Sequence, residues 1–226
     1  MTTFLATYQV ECKGITPLIM HHDDVEWADF MDAWKSNPDN SGKSKPGDDR
    51  TPSWRWIGYC WTDEHFVGIP ADALGSCLMK AGTRVLIPGG KRGKTFKELS
   101  QSGMAIADPL SPVLLGGNRR LAKTDIEAFQ DIPAFSDHKK TAARLGFNLL
   151  VNRVTVGSSR HIRVRPLFTD WAFSFRLTVW EELLTEKSVA DICQIAGNAI
   201  GIGDWRPTAP KKPGPYGRFS VDVSKA

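Results

Sequence analysis

The chain has 226 residues, 41% of them apolar, and a formal net charge of +4. No apolar run approaches the ~18 residues that a bilayer-spanning helix needs, and Met1-Thr2-Thr3-Phe4-Leu5-Ala6-Thr7 lacks the basic start and long apolar stretch of a signal peptide, so a soluble, cytoplasmic protein without membrane partners is expected. Cys12, Cys60, Cys77 and Cys193 are far apart and form no Cys-x-x-Cys pair; they read as reduced, buried thiols and not as a disulfide framework or zinc site.

In chain order, Tyr8, Val10 and Cys12 alternate with Gln9, Glu11 and Lys13, the period of two of a half-buried strand that runs on through Gly14-Ile15. Residues 23–66 break the pattern. They are acidic, carry Trp27, Trp34, Trp54, Trp56 and Trp61, and read as an inserted subdomain or large loop whose Asn37–Pro52 stretch is expected to be mobile. Pro70 is placed for a first helical turn, with Leu74, Leu78, Ala81 and Val85 following at helical spacing. Residues 88–146 form a second, irregular excursion, in which Lys97-Glu98-Leu99 suggests a helical turn and Val113-Leu114-Leu115 a short strand. Its basic turn Gly89-Gly90-Lys91-Arg92-Gly93-Lys94 lacks the Gly-Lys-Ser/Thr ending of a phosphate-binding P-loop.

Phe147–Val156 and Ile162–Leu167 read as two strands joined by Gly157-Ser158-Ser159-Arg160. On the second, His161, Arg163 and Arg165 share one face and Ile162 and Val164 the other. Trp171, Phe173, Phe175, Leu177 and Val179 mark the clearest strand, expected at the centre of the core. Thr185 caps a helix whose stripe is Val189, Ile192, Cys193, Ala196 and Ile200, ended by Gly201, and Arg218–Val223 is a last strand. The order predicts an α+β fold: a ferredoxin-like, RNA-recognition-motif-type antiparallel sheet with two helices and large insertions, in one domain spanning 1–226.

Charge is unevenly spread. Residues 23–64 hold ten acidic and five basic side chains, whereas 138–169 hold seven Lys/Arg and no Asp or Glu. A further concentration lies around Gly201-Ile202-Gly203-Asp204-Trp205-Arg206-Pro207, followed by Lys211-Lys212 and Tyr216-Gly217-Arg218-Phe219. Glycines that permit close backbone approach, beside an indole and several cations, suit a phosphate backbone and stacked bases; the competing reading is a helix C-cap followed by a surface loop.

Three segments in this order, Gly14-Ile15-Thr16-Pro17-Leu18-Ile19-Met20, the proline-led helix start Gly68-Ile69-Pro70-Ala71-Asp72-Ala73-Leu74, and the glycine loop, resemble the RAMP superfamily. These are the repeat-associated proteins that form backbone subunits of CRISPR effector complexes, together with related phage and prophage proteins of unassigned role. The resemblance implies a protein that lines up along a single strand, gripping phosphates with the glycine loop and basic side chains, while an insertion reaches the next subunit.

The expected nucleic-acid contacts are Lys80 and Arg84 on the first helix, Arg160, His161, Arg163 and Arg165 on the ribbon, and Gly201, Gly203, Trp205, Arg206, Lys211, Lys212 and Arg218 at the loop. The partners expected are single-stranded nucleic acid, RNA ranking ahead of DNA, and further subunits in a homo-oligomer or multi-subunit complex. No cofactor is expected. His21-His22-Asp23-Asp24 carries metal-ligand types, but consecutive residues on an extended segment alternate in direction, so the cluster reads foremost as a polar turn, with Asp23 and Asp24 as candidate cleavage residues and His21 and His22 as candidate ligands. Gly-x-Ser-x-Gly, His-Glu-x-x-His and a Rossmann glycine pattern are absent. Asp204 reads as a loop residue bonded to nearby amides. The alternatives to a strand-binding protein are a phage structural or assembly protein that uses the same fold for protein contacts only, and a RAMP-type endoribonuclease.

Overall fold

The computed structural model describes residues 5–90, 93–182 and 184–226, so Lys91 and Arg92 of the basic turn and the first four residues lie outside it. In chain order the elements are β1 (Leu5–Gly14), β2 (Leu18–Ile19), α1 (Val25–Ser36), β3 (Gly68–Pro70), α2 (Ala71–Gly82), α3 (Lys97–Ser102), β4 (Met104–Ile106), β5 (Leu110–Pro112), β6 (Leu114–Leu115) and β7 (Arg119–Arg120). Then follow α4 (Lys123–Glu127), α5 (Phe135–Arg144), β8 (Asn148–Val156), β9 (Ser159–Phe168), β10 (Trp171–Trp180), α6 (Glu186–Ile195) and β11 (Phe219–Lys225). The architecture is α+β with antiparallel sheets. No helix of the described residues is long and apolar enough to cross a membrane.

The main sheet runs β11-β1-β10, with β4 and β6 both pairing β10 on its far side. Period-two alternation fixes its register: Tyr8 lies opposite Leu177, Val10 opposite Phe175 and Cys12 opposite Phe173, all buried. The helices α2 and α6 cover this face. Side chains of Val10, Cys12, Leu74, Cys77, Phe175 and Cys193 meet around a small apolar void between the helices and the sheet. Pro70 stands at the N-cap of α2, one residue before the first turn in which the sequence places it, and the Thr185 side chain accepts a hydrogen bond from the Ser188 amide at the start of α6, the cap the sequence predicts. The stripe of α6 is buried to Ile200 through a π-helical turn, Ala196–Ile200, and Gly201 (φ 72°) ends it.

The opposite face of the sheet is polar: Thr7, Gln9 and Glu11 lie beside Ser174, Arg176 and Thr178, and beside Ser220, Asp222 and Ser224. Of the aromatics on its three long strands, only Trp180, at the end of β10, points this way. An RNA-recognition motif stacks bases on aromatics of this face; this sheet does not carry that platform.

Two parts of the expected topology differ. The ribbon 148–168 does not enter the main sheet but forms its own sheet, β2-β9-β8, leaving short β4 and β6 beside β10. Its turn is tighter than expected: Gly157-Ser158 alone connect the strands, with Gly157 at φ 61°, so Ser159 and Arg160 belong to β9. Nor is the second excursion irregular, since 88–146 carries α3, β4–β7, α4 and α5. Residues 23–66 contain α1 and a 3-10 turn, Arg55–Tyr59, and fold back against 88–146, where Trp56 Nε1 donates to His138 Nδ1 at 2.9 Å and the indole packs edge-on against Phe129 at 5.0 Å. The Asn37–Pro52 stretch, expected to be mobile, is anchored to β9: Ile162 N–H donates to Gly47 O (2.7 Å), and Asp49 N–H to Ile162 O (3.0 Å). It continues along the β9 edge that β2 pairs further on.

Candidate nucleic-acid interface

The glycine loop is built by close backbone packing. Gly217 (φ 72°) sits so near Ile202 O that a Cβ there would overlap it, and a Cβ at Gly203 (φ 84°) would meet the backbone of Ile19. The same approaches are hydrogen-bonded: Ile202 N–H to Gly217 O, Gly217 N–H to Pro17 O and Asp204 N–H to Ile19 O, at 2.8–2.9 Å. Gly201, Gly203 and Gly217 are buried. Their absent side chains therefore admit the chain's own backbone, and what the loop offers a ligand comes from its neighbours.

Those neighbours form a cleft of about 170 Å³ between α2 and the loop. Ser76 and Lys80, one helical turn apart on α2, face Arg206 and the backbone of Gly201–Gly203, and Trp61 closes one side. Arg206 Nη1 donates to Gly203 O at 2.8 Å, which fixes the guanidinium at the loop. No carboxylate or histidine lines the cleft. Burial pushes the Cys77 thiol up to about 12 despite the pull of Arg206 and Lys80, so it stays protonated and unreactive. The arrangement has two cations, a hydroxyl and an indole around a space fit for a phosphate, without a general base.

The ribbon arginines are engaged elsewhere. Asp49, 0% exposed, takes Arg163 Nη1 at 2.9 Å, Arg165 Nη1 at 3.1 Å and Arg55 Nη1 at 3.5 Å, and accepts from Val164 N–H. A buried carboxylate needs such partners, because an isolated charge would carry its full desolvation penalty. Arg165 also lies 4.1 Å above the Tyr59 ring and reaches His21 Nε2 at 3.1 Å and Asp204 Oδ2 at 3.8 Å. Because Arg165 donates to His21 Nε2, the His21 proton sits on Nδ1, 3.6 Å from Asp204 Oδ2. The nearby His21 ring, with the Trp205 amide and Arg165, holds the Asp204 carboxyl below the usual carboxylate range, and Asp204 Oδ1 accepts from Trp205 N–H at 2.8 Å, the backbone role its loop position predicts. His161 lies against Gly47, with Nδ1 3.4 Å from Arg163.

The remaining candidates are dispersed. Arg160 is exposed near the ribbon tip and Arg84 is exposed just past α2. Arg218 Nη1 donates to Asn198 O beside the π-helical turn. Trp205 has φ 50°, packs against Tyr216 at 5.5 Å and has Lys212 Nζ 5.6 Å over its ring, while Lys211 is exposed. Asp24 caps α1 by accepting from Trp27 N–H, and His22 N–H donates to Tyr59 O. Among the described residues no three His, Cys, Asp or Glu side chains gather as a metal cluster.

Thus the structure brings Lys80, Gly201, Gly203 and Arg206 together at the cleft, while Arg163 and Arg165 pair with Asp49 and do not line it, although Arg165 also touches Asp204 of the loop. Ser76 was within reach of the sequence, four residues before Lys80 on the same helix face. Trp61, Asp49 and Arg55 had no such signal, since long-range folding alone places them.

No protein-family model matches the chain, and no curated protein matches it. Among solved structures it is similar to the crystal structure of Cmr6 from Pyrococcus furiosus, at 13% identity over 97% of this chain and 99% of that one, with a TM-score of 0.35.

Proposed function

We propose that the protein is a RAMP-type, ferredoxin-like protein that binds single-stranded nucleic acid, RNA ahead of DNA, independently of sequence, and assembles side by side along the strand. The observation that carries this reading is the convergence of Lys80 and Arg206 on one carboxylate-free cleft beside the glycine loop. The split β-α-β-β-α-β order supports it: β1, α2, the β4/β6 pair, β10, α6 and β11 follow the chain, with sheet order β11-β1-β10 and then β4 and β6. A phosphate enters between Lys80 and Arg206. Arg163 and Arg165 are left out, since their charges serve Asp49. For assembly, Val25 and Phe30 on α1 are exposed, with Phe30 packed at a tilt against Trp27 at 5.4 Å.

Fluorescence anisotropy against labelled single-stranded RNA, single-stranded DNA and duplex, repeated across a salt series, tests the reading. Binding to one single strand that weakens steeply with salt and with Arg206→Glu supports it. No binding at low salt overturns it in favour of an assembly protein.

A further inference from the structure

Outside the cleft, a larger cavity of about 610 Å³ opens between the two excursions, within the ~300–1,000 Å³ range of small-molecule sites. One side comes from the end of α1 and the turn after it, with Trp34 and Lys43; the floor from Arg50 to Trp54; the other side from Gln130 to Phe135. The composition is unlike a surface dent. Two indoles and a phenyl ring line it, two cations stand with them, and no carboxylate does.

The aromatic walls are held in place by the fold. Trp54 is buried and packs on Trp27 at 5.6 Å. Trp34 lies above the turn that Asn40 ties to its carbonyl (3.1 Å). Phe135 stacks on His138 at 6.3 Å, and His138 is itself fixed by Trp56 and by Ile132 O. Ser53 Oγ donates to Ile132 O at 3.0 Å and bridges the floor to the far wall. The cations are partly free. Asp48 takes Nε and Nη2 of Arg50, leaving Nη1, and Lys43 Nζ donates to the neutral Asn40 amide. Gln130 is exposed at the rim, with an amide able both to donate and to accept.

Rigid aromatic walls select a planar ring, the Lys43 ammonium and the remaining Nη1 of Arg50 offer donors to an anion, and a side-chain amide suits the mixed donor and acceptor edge of a heterocycle. We propose that this cavity binds a nucleoside phosphate, its base among Trp34, Trp54 and Phe135 and its phosphate toward Lys43 and Arg50. The same chemistry is offered by a free mononucleotide and by the terminal nucleotide of a strand. The site is independent of the cleft at Lys80 and Arg206, with which it shares no lining residue.

The probes are AMP, GMP, CMP and UMP, with adenosine and ribose 5-phosphate as halves of the ligand, titrated into the full chain by calorimetry, alongside a 5′-phosphorylated RNA tetramer. Saturable mononucleotide binding is expected, weakened about tenfold or more by Phe135→Ala and reduced by Lys43→Glu, with both halves binding more weakly than the whole. Arg206→Glu is expected to leave it unchanged, so loss of strand binding at the cleft and loss of binding here are read separately. Binding of the tetramer alone, sensitive to Phe135→Ala and Lys43→Glu, supports the proposal with a strand end as the source. No saturable binding of either at millimolar concentration, or binding indifferent to Lys43→Glu and Phe135→Ala in variants whose melting temperature matches the parent, overturns it. Lys43 is exposed, so its substitution keeps the test open even if Phe135→Ala fails to fold.

Discussion

Asp49 and Arg165, 116 residues apart in sequence, meet as an ion pair inside the protein, Oδ2 to Nη1 at 3.1 Å, with the carboxylate 0% and the arginine side chain 11% exposed. The pair fastens the acidic excursion to the basic ribbon. It explains why the most basic stretch of the chain does not present all its charge to solvent: Arg163 and Arg165 from that stretch, with Arg55 from the excursion itself, converge on one carboxylate that cannot exist there without them.

Asp49→Asn is accordingly expected to cost about 3 kcal/mol, the low end for breaking a buried pair, since it leaves three partly exposed arginines without their counter-charge. Urea denaturation measures this. Arg50→Gln, which breaks the exposed pair with Asp48, is the control and is expected to change stability by less than about 1 kcal/mol. Similar losses in the two variants would refute the account.

Gly217 and Gly42 have similar backbones, φ 72° and φ 75°, in different surroundings. A Cβ on Gly42 meets nothing within 4 Å, whereas one on Gly217 collides with the Ile202 backbone. Gly42→Ala is expected to cost only the left-handed strain of about 1–2 kcal/mol. Gly217→Ala adds displacement of the loop and is expected to cost well over that, seen as a lower urea midpoint together with weaker strand binding.

If the cleft takes a phosphate as proposed, Lys80→Gln and Arg206→Gln each remove one phosphate contact. Each is expected to lower the slope of log K against log salt by about 0.7 for a single strand, alike for every strand sequence. A variant with lower affinity but an unchanged slope would show that the lost cation does not touch phosphate.

His138 sits in the interior, accepting from Trp56 at Nδ1 and donating from Nε2 to Ile132 O, and burial pushes its pKa below the ordinary histidine value of 6.5. Between that lowered value and 6.5 the unfolded chain binds the proton more readily than the folded one. Stability is therefore full above about pH 6.5 and falls as the pH drops toward the native pKa. Denaturation midpoints from pH 7.5 to 5 are expected to show this fall in the parent and a flatter profile in His138→Gln. Equal slopes in both would place the proton elsewhere.

The buried cysteines make a chemical prediction. Burial pushes Cys77 and Cys193 up to about 12 and Cys60 and Cys12 upward as well. A thiol reagent at pH 8 is expected to find no reactive group in the folded protein and all four in denaturant. Fast reaction of Cys77 or Cys193 in the native state would locate a local opening of the α2–α6 layer.

What the sequence determined by itself is the part of the protein governed by local periodicity. Tyr8, Val10 and Cys12 on β1 and Trp171 to Val179 on β10 declare a two-residue period, Leu74, Leu78 and Ala81 a helical one, and Thr185 and Gly201 mark where a helix starts and stops; backbone geometry and burial of one face read these out residue by residue. Tertiary structure alone decided which charges are free and where the long excursions dock. Arg163 and Arg206 look alike in a sequence, yet one is held by Asp49 and the other lines a cleft with Lys80. An ion pair across more than a hundred residues has no period, and the cost of burying a charge depends on what the fold brings to meet it.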